Sequence, residues 1–276
     1  MNTEMLSYIK KDSPIHKLTG ATKLICFLLW VIAAMITYDT RVLLGLFLLG
    51  IMAFKVSKIE FKEISFVLYF ILFFLFLNTI MIFIFSPLEG VKIYGTRHDI
   101  MHLVGPYVLT KEQLFYELNV ILKYFATIPM ALLFILTTEP SEFAASLNKL
   151  GVNYKAAYTV SIALRYIPDV QRDYKDIAFA QQARGIDLSR NEKLIKRIKN
   201  SSSILMPLIF SSLERIDKIS LAMELRAFGN NKKRTWYTRR KFEKQDYISI
   251  IIMIIIVLIS IFMVKINGSR FFNPFI

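Results

Sequence analysis

Hydrophobic residues in this chain come in blocks long enough to cross a lipid bilayer. Leu24–Phe54 is apolar apart from a polar break at Tyr38-Asp39-Thr40-Arg41. The break predicts two short helical spans, about residues 24–38 and 40–55, joined by a tight turn. Lys23 and Lys55 are then expected to snorkel to the interface. Ile64–Leu88 holds 25 consecutive residues without a charge, and Ser86-Pro87 marks its end. About 20 residues rising 1.5 Å each cross a hydrocarbon core of roughly 30 Å. This run therefore predicts a third span, 64–88. Residues 116–138 predict a fourth, apolar from Leu118 onward, with Pro129 inside it and Lys123 about a turn from that apolar start. Between them, residues 89–110 are polar and turn-rich, with Gly90, Gly95, Gly105 and Pro106. Tyr247–Val264, built mostly of Ile, predicts the last span.

Residues 139–244 read differently. They hold 21 basic and 11 acidic residues among apolar stretches too short to cross a membrane. A short helix is predicted over Phe143–Leu150, closed by Gly151. A long helix follows over about Tyr154–Arg184, with Pro168 as a bend. Another runs from about Glu192 to Phe228, with Pro207 as a bend. The chain thus divides into N-terminal transmembrane helices (1–140), a charged helical region (141–240) and a C-terminal transmembrane helix with its tail (241–276). The fold class is an all-α integral membrane protein with about five transmembrane helices plus long cytoplasmic or interfacial helices.

Composition agrees with a membrane protein. Apolar residues make up 55% of the chain and charged residues 20%, against about 45–50% and about 25% in soluble domains. The single cysteine, Cys26, forms neither an internal disulfide nor a CxxC site, and reads as a small apolar residue in a span. The first 23 residues carry charges throughout, including Asp12, so they are not expected to be a cleaved leader. The net charge of +14 is unevenly distributed. In an alternating five-span topology, residues 1–23, 55–63 and 139–244 share one side and 28 of the Lys and Arg residues; the other side has six. The positive-inside rule then puts the N terminus and residues 139–244 in the cytoplasm and the C terminus outside. No RNP-like aromatic pattern, zinc spacing or helix-turn-helix signal argues for a nucleic-acid partner.

The two long helices echo each other at an offset of 42 residues. Ile177, Ala180 and Arg184 recur as Ile219, Ala222 and Arg226, each trio on one helix face. Each helix so presents an arginine at its C-terminal tip. A basic residue there favours the helix dipole, and a following glycine is an ordinary cap. Two in a matched frame point further, to docking, because guanidinium forks bind carboxylates bidentately.

Three segments carry a family resemblance. Arg165-Tyr166-Ile167-Pro168, followed by Ala180-Gln181-Gln182-Ala183-Arg184-Gly185, resembles the first signature of the T component of energy-coupling factor (ECF) transporters, a family that also contains cobalt-type permeases. Ala222-Met223-Glu224-Leu225-Arg226-Ala227-Phe228-Gly229 is similar to the second signature, with Leu-Arg-Ala in place of Ala-Arg-Gly. Ser13-Pro14-Ile15-His16-Lys17-Leu18, before Lys23, resembles the family's N-terminal segment. The resemblance implies a transmembrane subunit of the bacterial cell membrane, set between two cytoplasmic ABC-type ATPases and a membrane-embedded substrate-binding S component that takes up a vitamin or transition metal. Ala183, Arg184, Gly185, Leu225, Arg226 and Ala227 would dock the ATPases. ATP and Mg would be bound by those partners and no cofactor by this chain. The apolar Ala156, Ala157, Ile162, Ala163 and Ile167 on the first long helix, with Ile204, Leu205, Leu208 and Ile209 on the second, are expected to face the membrane or the S component.

No GxxxxGK[ST] occurs, so ATP binding by a P-loop is not expected here. His98, Asp99 and His102 form a conceivable metal site but lack further ligands, and exposed loop residues are the expectation. Asp169, Asp173 and Asp176 read as a solvated face of mixed charge with Arg172 and Lys175. Glu142-Phe143-Ala144-Ala145 loosely resembles the EAA loop of ABC importer permeases fed by a soluble binding protein, the alternative function. An intramembrane enzyme would need a convergent set of acids or histidines at membrane depth, and the spans lack such a set.

Overall fold

The computed structural model describes residues 11–102, 107–186, 194–230, 235–236 and 240–275, leaving aside the side chains of 61, 62 and 194–199. Lys10, Gly105, Pro106, Arg190, Asn191, Glu192, Lys193 and Ile276 lie outside the described residues. Ten helices and a two-stranded hairpin are found among them: α1 Pro14–Lys17, α2 Gly20–Ile36, α3 Thr40–Ser57, α4 Phe61–Phe85, α5 Glu89–Tyr94, β1 Asp99–His102, β2 Val108–Thr110, α6 Lys111–Thr137, α7 Pro140–Lys149, α8 Tyr154–Ala183, α9 Leu194–Leu225 and α10 Lys244–Asn267. They form two compact units, Met1–Glu139 with Arg240–Ile276, and Pro140–Arg239.

In the first unit α3, α4, α6 and α10 are long and apolar enough to cross a membrane, and α2 is a shorter apolar helix of 17 residues. The protein is an all-α membrane protein. α3 packs on α6, α10 on α2, and α2 on α6. Trp30, Ala34, Leu46, Ala126 and Met130 make the shared core. The Trp30 indole N–H donates to the Ala126 carbonyl at 2.9 Å, so its one polar atom is satisfied in an apolar site. α4 behaves oppositely. Phe66, Phe70, Phe73, Phe74, Phe76 and Phe85 are all exposed on it, and a helix apolar on every face needs lipid or protein around it.

The polar break at residues 37–41 holds a tight node. Asp39 is fully buried and accepts bonds from the Arg41 backbone N–H and guanidinium and from the Asn267 amide. Burial alone would push its carboxyl up, but these donors outweigh it and hold Asp39 below the usual carboxylate range. Arg270 caps the end of α2 through the Ile36 and Met35 carbonyls. The C-terminal tail is thereby tied to the α2–α3 turn.

Three expectations need correction. Lys23 does not snorkel: it is buried, and its ammonium donates to the Thr137 carbonyl at 2.7 Å and the His16 carbonyl at 3.2 Å. It caps the C-terminal end of α6, where orphan carbonyls and the helix dipole favour a cation. Lys123 is not near a helix end either, since α6 begins at Lys111. Its Nζ sits 3.6 Å from the Tyr38 ring centroid, a cation–π contact. Finally, residues 89–110 contain α5 and the β1–β2 hairpin, with Asp99 opposite Thr110 and His102 opposite Val108. A buried Glu112 organises that end, accepting from Thr96 Oγ1, the His98 backbone N–H and His98 Nδ1, the last at 2.6 Å. Gly90 is obligatory beside it, because a Cβ would lie 2.3 Å from the Glu112 carbonyl oxygen.

Candidate docking site

The second unit is built from α7, α8 and α9, with α7 on α8 and α8 on α9. Asn153 caps the start of α8 by accepting from the Lys155 N–H. Pro168 and Pro207 both lie inside continuous helices.

The two arginine tips share one backbone geometry. At the end of α8, Arg184 is the last residue of right-handed conformation and Gly185 is left-handed at φ +84. The Gly185 N–H bonds to the Gln182 carbonyl and the Ile186 N–H to the Gln181 carbonyl. At the end of α9, Ala227 takes the left-handed place at φ +52. Its N–H bonds to the Glu224 carbonyl, and the Phe228 N–H to the Met223 carbonyl. Each is a Schellman motif, and every partner is displaced by the same 42 residues. Leu-Arg-Ala therefore folds as Ala-Arg-Gly does, although a side chain in the left-handed region costs about 1–2 kcal/mol. Ala183, Arg184, Gly185, Leu225, Arg226 and Ala227 are all exposed, and Leu225 shows 81% of its surface.

Behind the second tip the chain is pinned by aromatics that sequence reading missed. Phe228 packs tilted against Tyr158 and edge-on to Tyr154, with ring centroids 4.8 Å and 5.8 Å away; the Trp236 indole N–H donates to Asn148 Oδ1 at 3.1 Å. The only sequence signal was the density of aromatic residues on either side of a basic stretch.

The apolar face divides. Ala156, Ala163, Ile167, Leu205 and Ile209 are exposed, and Ile162 and Leu208 are half-buried. Ala157 and Ile204 are buried within the unit, so they do not belong to an outward surface. The reason is helical geometry: neighbours i and i+1 point about 100° apart, and one of each pair turns inward. In exchange, Met206, Phe210, Leu213 and Ile216 are exposed. Leu205, Ile209, Leu213 and Ile216 recur at spacings of three and four, which a helix places on one face.

Polar contacts join the two long helices. The Arg215 guanidinium donates to Asp173 at 2.5 Å and lies 5.7 Å from the Tyr166 ring centroid. Gln181 donates to the Ser203 carbonyl at 3.1 Å. Asp169 pairs with Arg172 at 2.8 Å. Asp169 and Asp173 of α8 are thus matched with cations. Elsewhere, His98 Nδ1 faces Glu112, and His102 lies 3.6 Å from Asp99. Among the described residues no group of three or more His, Cys, Asp or Glu is placed to hold a metal.

Residues 11–237 match the cobalt transport protein family CbiQ. The chain belongs to that family. It is also similar over nearly its whole length to proteins named energy-coupling factor transporter transmembrane protein EcfT. Identity is 29% to that of Streptococcus thermophilus, covering 93% of this chain and 96% of the relative. It is 29% to that of Lactococcus lactis, covering 96% and 99%, and 30% to that of Clostridium kluyveri, covering 92% and 94%. The resemblance carried by the two arginine motifs and the N-terminal segment therefore holds. The chain is a multi-pass membrane component of a transport family.

Proposed function

We propose that this chain is the transmembrane coupling subunit of an ECF-type importer. Two cytoplasmic ABC ATPases dock at the tips of α8 and α9. A membrane-embedded S component, which selects a vitamin or transition-metal ion, rests against the apolar residues of the same helices and the membrane helices. ATP and Mg belong to the ATPases, and this chain transmits their motion. The observation that carries the reading is the duplicated Schellman motif. Two equivalent backbones hold two exposed arginines, which suits two equivalent acceptors. A rigid helix end positions a guanidinium at little entropic cost, where a loop would have to be ordered on binding.

Co-purification tests it. A tagged chain extracted in mild detergent from its own cells is expected to bring two ATPase chains and a small hydrophobic membrane protein. A soluble substrate-binding protein in place of that membrane protein would overturn the reading in favour of an ordinary ABC permease.

In this reading Pro140–Arg239 and the N terminus are cytoplasmic and the C terminus external, which the Lys/Arg bias supports. A reporter fused after Ile276 is expected outside and one inserted near Asn191 inside. An accessibility assay that finds the C terminus in the cytoplasm would overturn the orientation.

A further inference from the structure

The two long helices carry opposite charges at matched positions. At the offset that superposes Arg184 on Arg226, Arg172 falls on Glu214, Asp173 on Arg215, Lys175 on Asp217 and Asp176 on Lys218. All four charged positions of a five-residue block are reversed. Unlike charges at matched positions let two helices meet at that block, whereas like charges would repel. They do meet there, and through counterparts: Asp173 accepts from Arg215 at 2.5 Å. Where a residue touches its own counterpart, the crossing lies on a local two-fold relation, as at an isologous interface. Of the other block charges, Arg172 pairs with Asp169 and Lys218 with Glu214, each within its own helix. Asp173–Arg215 is the pair that crosses.

The pair is more than a surface ornament. Its side chains are 26% and 32% exposed, so it is partly shielded from solvent. Tyr166 stands beside the guanidinium. Each arginine tip lies 11 residues beyond the crossing residue of its helix, 173 to 184 and 215 to 226. At 1.5 Å per residue both tips are about 16 Å from the crossing.

We propose that Asp173 and Arg215 are positioning residues: their ion pair fixes where α8 and α9 cross and so holds Arg184 and Arg226 equidistant from that point. This rests on the docking role of the two arginines, and equidistance is what two equivalent ATPases require. A tip displaced along its helix axis would seat one ATPase and strain the other.

The test uses the full chain with Cys26→Ala and spin labels on Gln182→Cys and Glu224→Cys, exposed counterparts beside the tips. It reads the label-to-label distance in lipid nanodiscs. ATPase retention is measured in parallel on the assembled complex, without labels. Asp173→Arg and Arg215→Asp, singly, are expected to broaden the distance distribution at least twofold and lower retention about tenfold. The exchanged pair, Asp173→Arg with Arg215→Asp, is expected to restore both to within twofold of the parent. Asp173→Asn, which removes charge without bulk, is expected to broaden the distribution even if the reversals insert poorly. Unchanged distances in Asp173→Asn, or no rescue by the exchange, would overturn the proposal while leaving Arg184→Ala free to abolish docking. Distances that broaden and are rescued while retention never changes would leave the crossing assignment standing and remove the docking role beneath it.

Discussion

Replacing Arg184 and Arg226 together by Ala is expected to strip the ATPases from the purified membrane subunit and abolish substrate uptake, with normal insertion. Each guanidinium sits at an exposed helix end, held by a Schellman motif that positions the backbone without using the side chain. A charged hydrogen bond contributes about 1.5–3 kcal/mol, and removing one partner of a desolvated pair costs about 2–5 kcal/mol. Each single Ala variant should therefore lose at least tenfold in retention, since about 1.4 kcal/mol is a factor of ten. Lys at either position is expected to rescue only in part, because an ammonium lacks the planar fork. Lys92→Ala is the control, since that exposed pair with Glu89 is worth about 0–1 kcal/mol. Wild-type retention and uptake in the double variant would reduce the two tips to helix caps.

Leu205→Glu with Ile209→Glu is expected to abolish uptake while ATPase retention stays at the parental level. Both side chains are exposed on α9 about one turn apart, and Leu213 and Ile216 continue the face. Covering a Leu or Ile stabilises by about 1.5–3 kcal/mol, so the pair stands for about 3–6 kcal/mol before the cost of burying two carboxylates. That is a loss of a hundredfold or more in partner affinity. Cysteines at Ile167 and Leu205 should crosslink to the membrane partner and resist water-soluble labels in the complex. Free labelling in the assembled complex, or undiminished uptake by the Glu pair, would show that this face covers nothing.

These two predictions draw unequally on the sequence. The arginine tips were legible because local signals suffice for a helix end: a cap is set by residues within one turn, and here it recurs at a fixed offset. Only the backbone, however, revealed that Ala227 occupies the left-handed position that Gly185 occupies in the first copy. The apolar face was half legible. Its residues were visible as apolar in a charged region, but which of them turn inward depends on how α8 and α9 pack. Ala157 and Ile204 were lost from the surface, and Phe210, Leu213 and Ile216 gained.

The long apolar runs determined by themselves that this is a helical membrane protein, because the bilayer demands length and internally satisfied hydrogen bonds of any segment that crosses it. Ile64–Leu88 needed no partner to be recognised, and α4 falls on it within a few residues. The fate of single polar groups was decided by tertiary structure alone. Lys23 turns inward to cap α6 across 114 residues, Asp39 ties to Asn267 across 228, and Asp173 meets Arg215 across 42. A charge has one identity in sequence, but its energy depends on which donors and acceptors lie within a few ångströms in space. The four charge reversals between the two long helices were present in the sequence throughout. They acquired meaning when the fold brought a residue against its own counterpart.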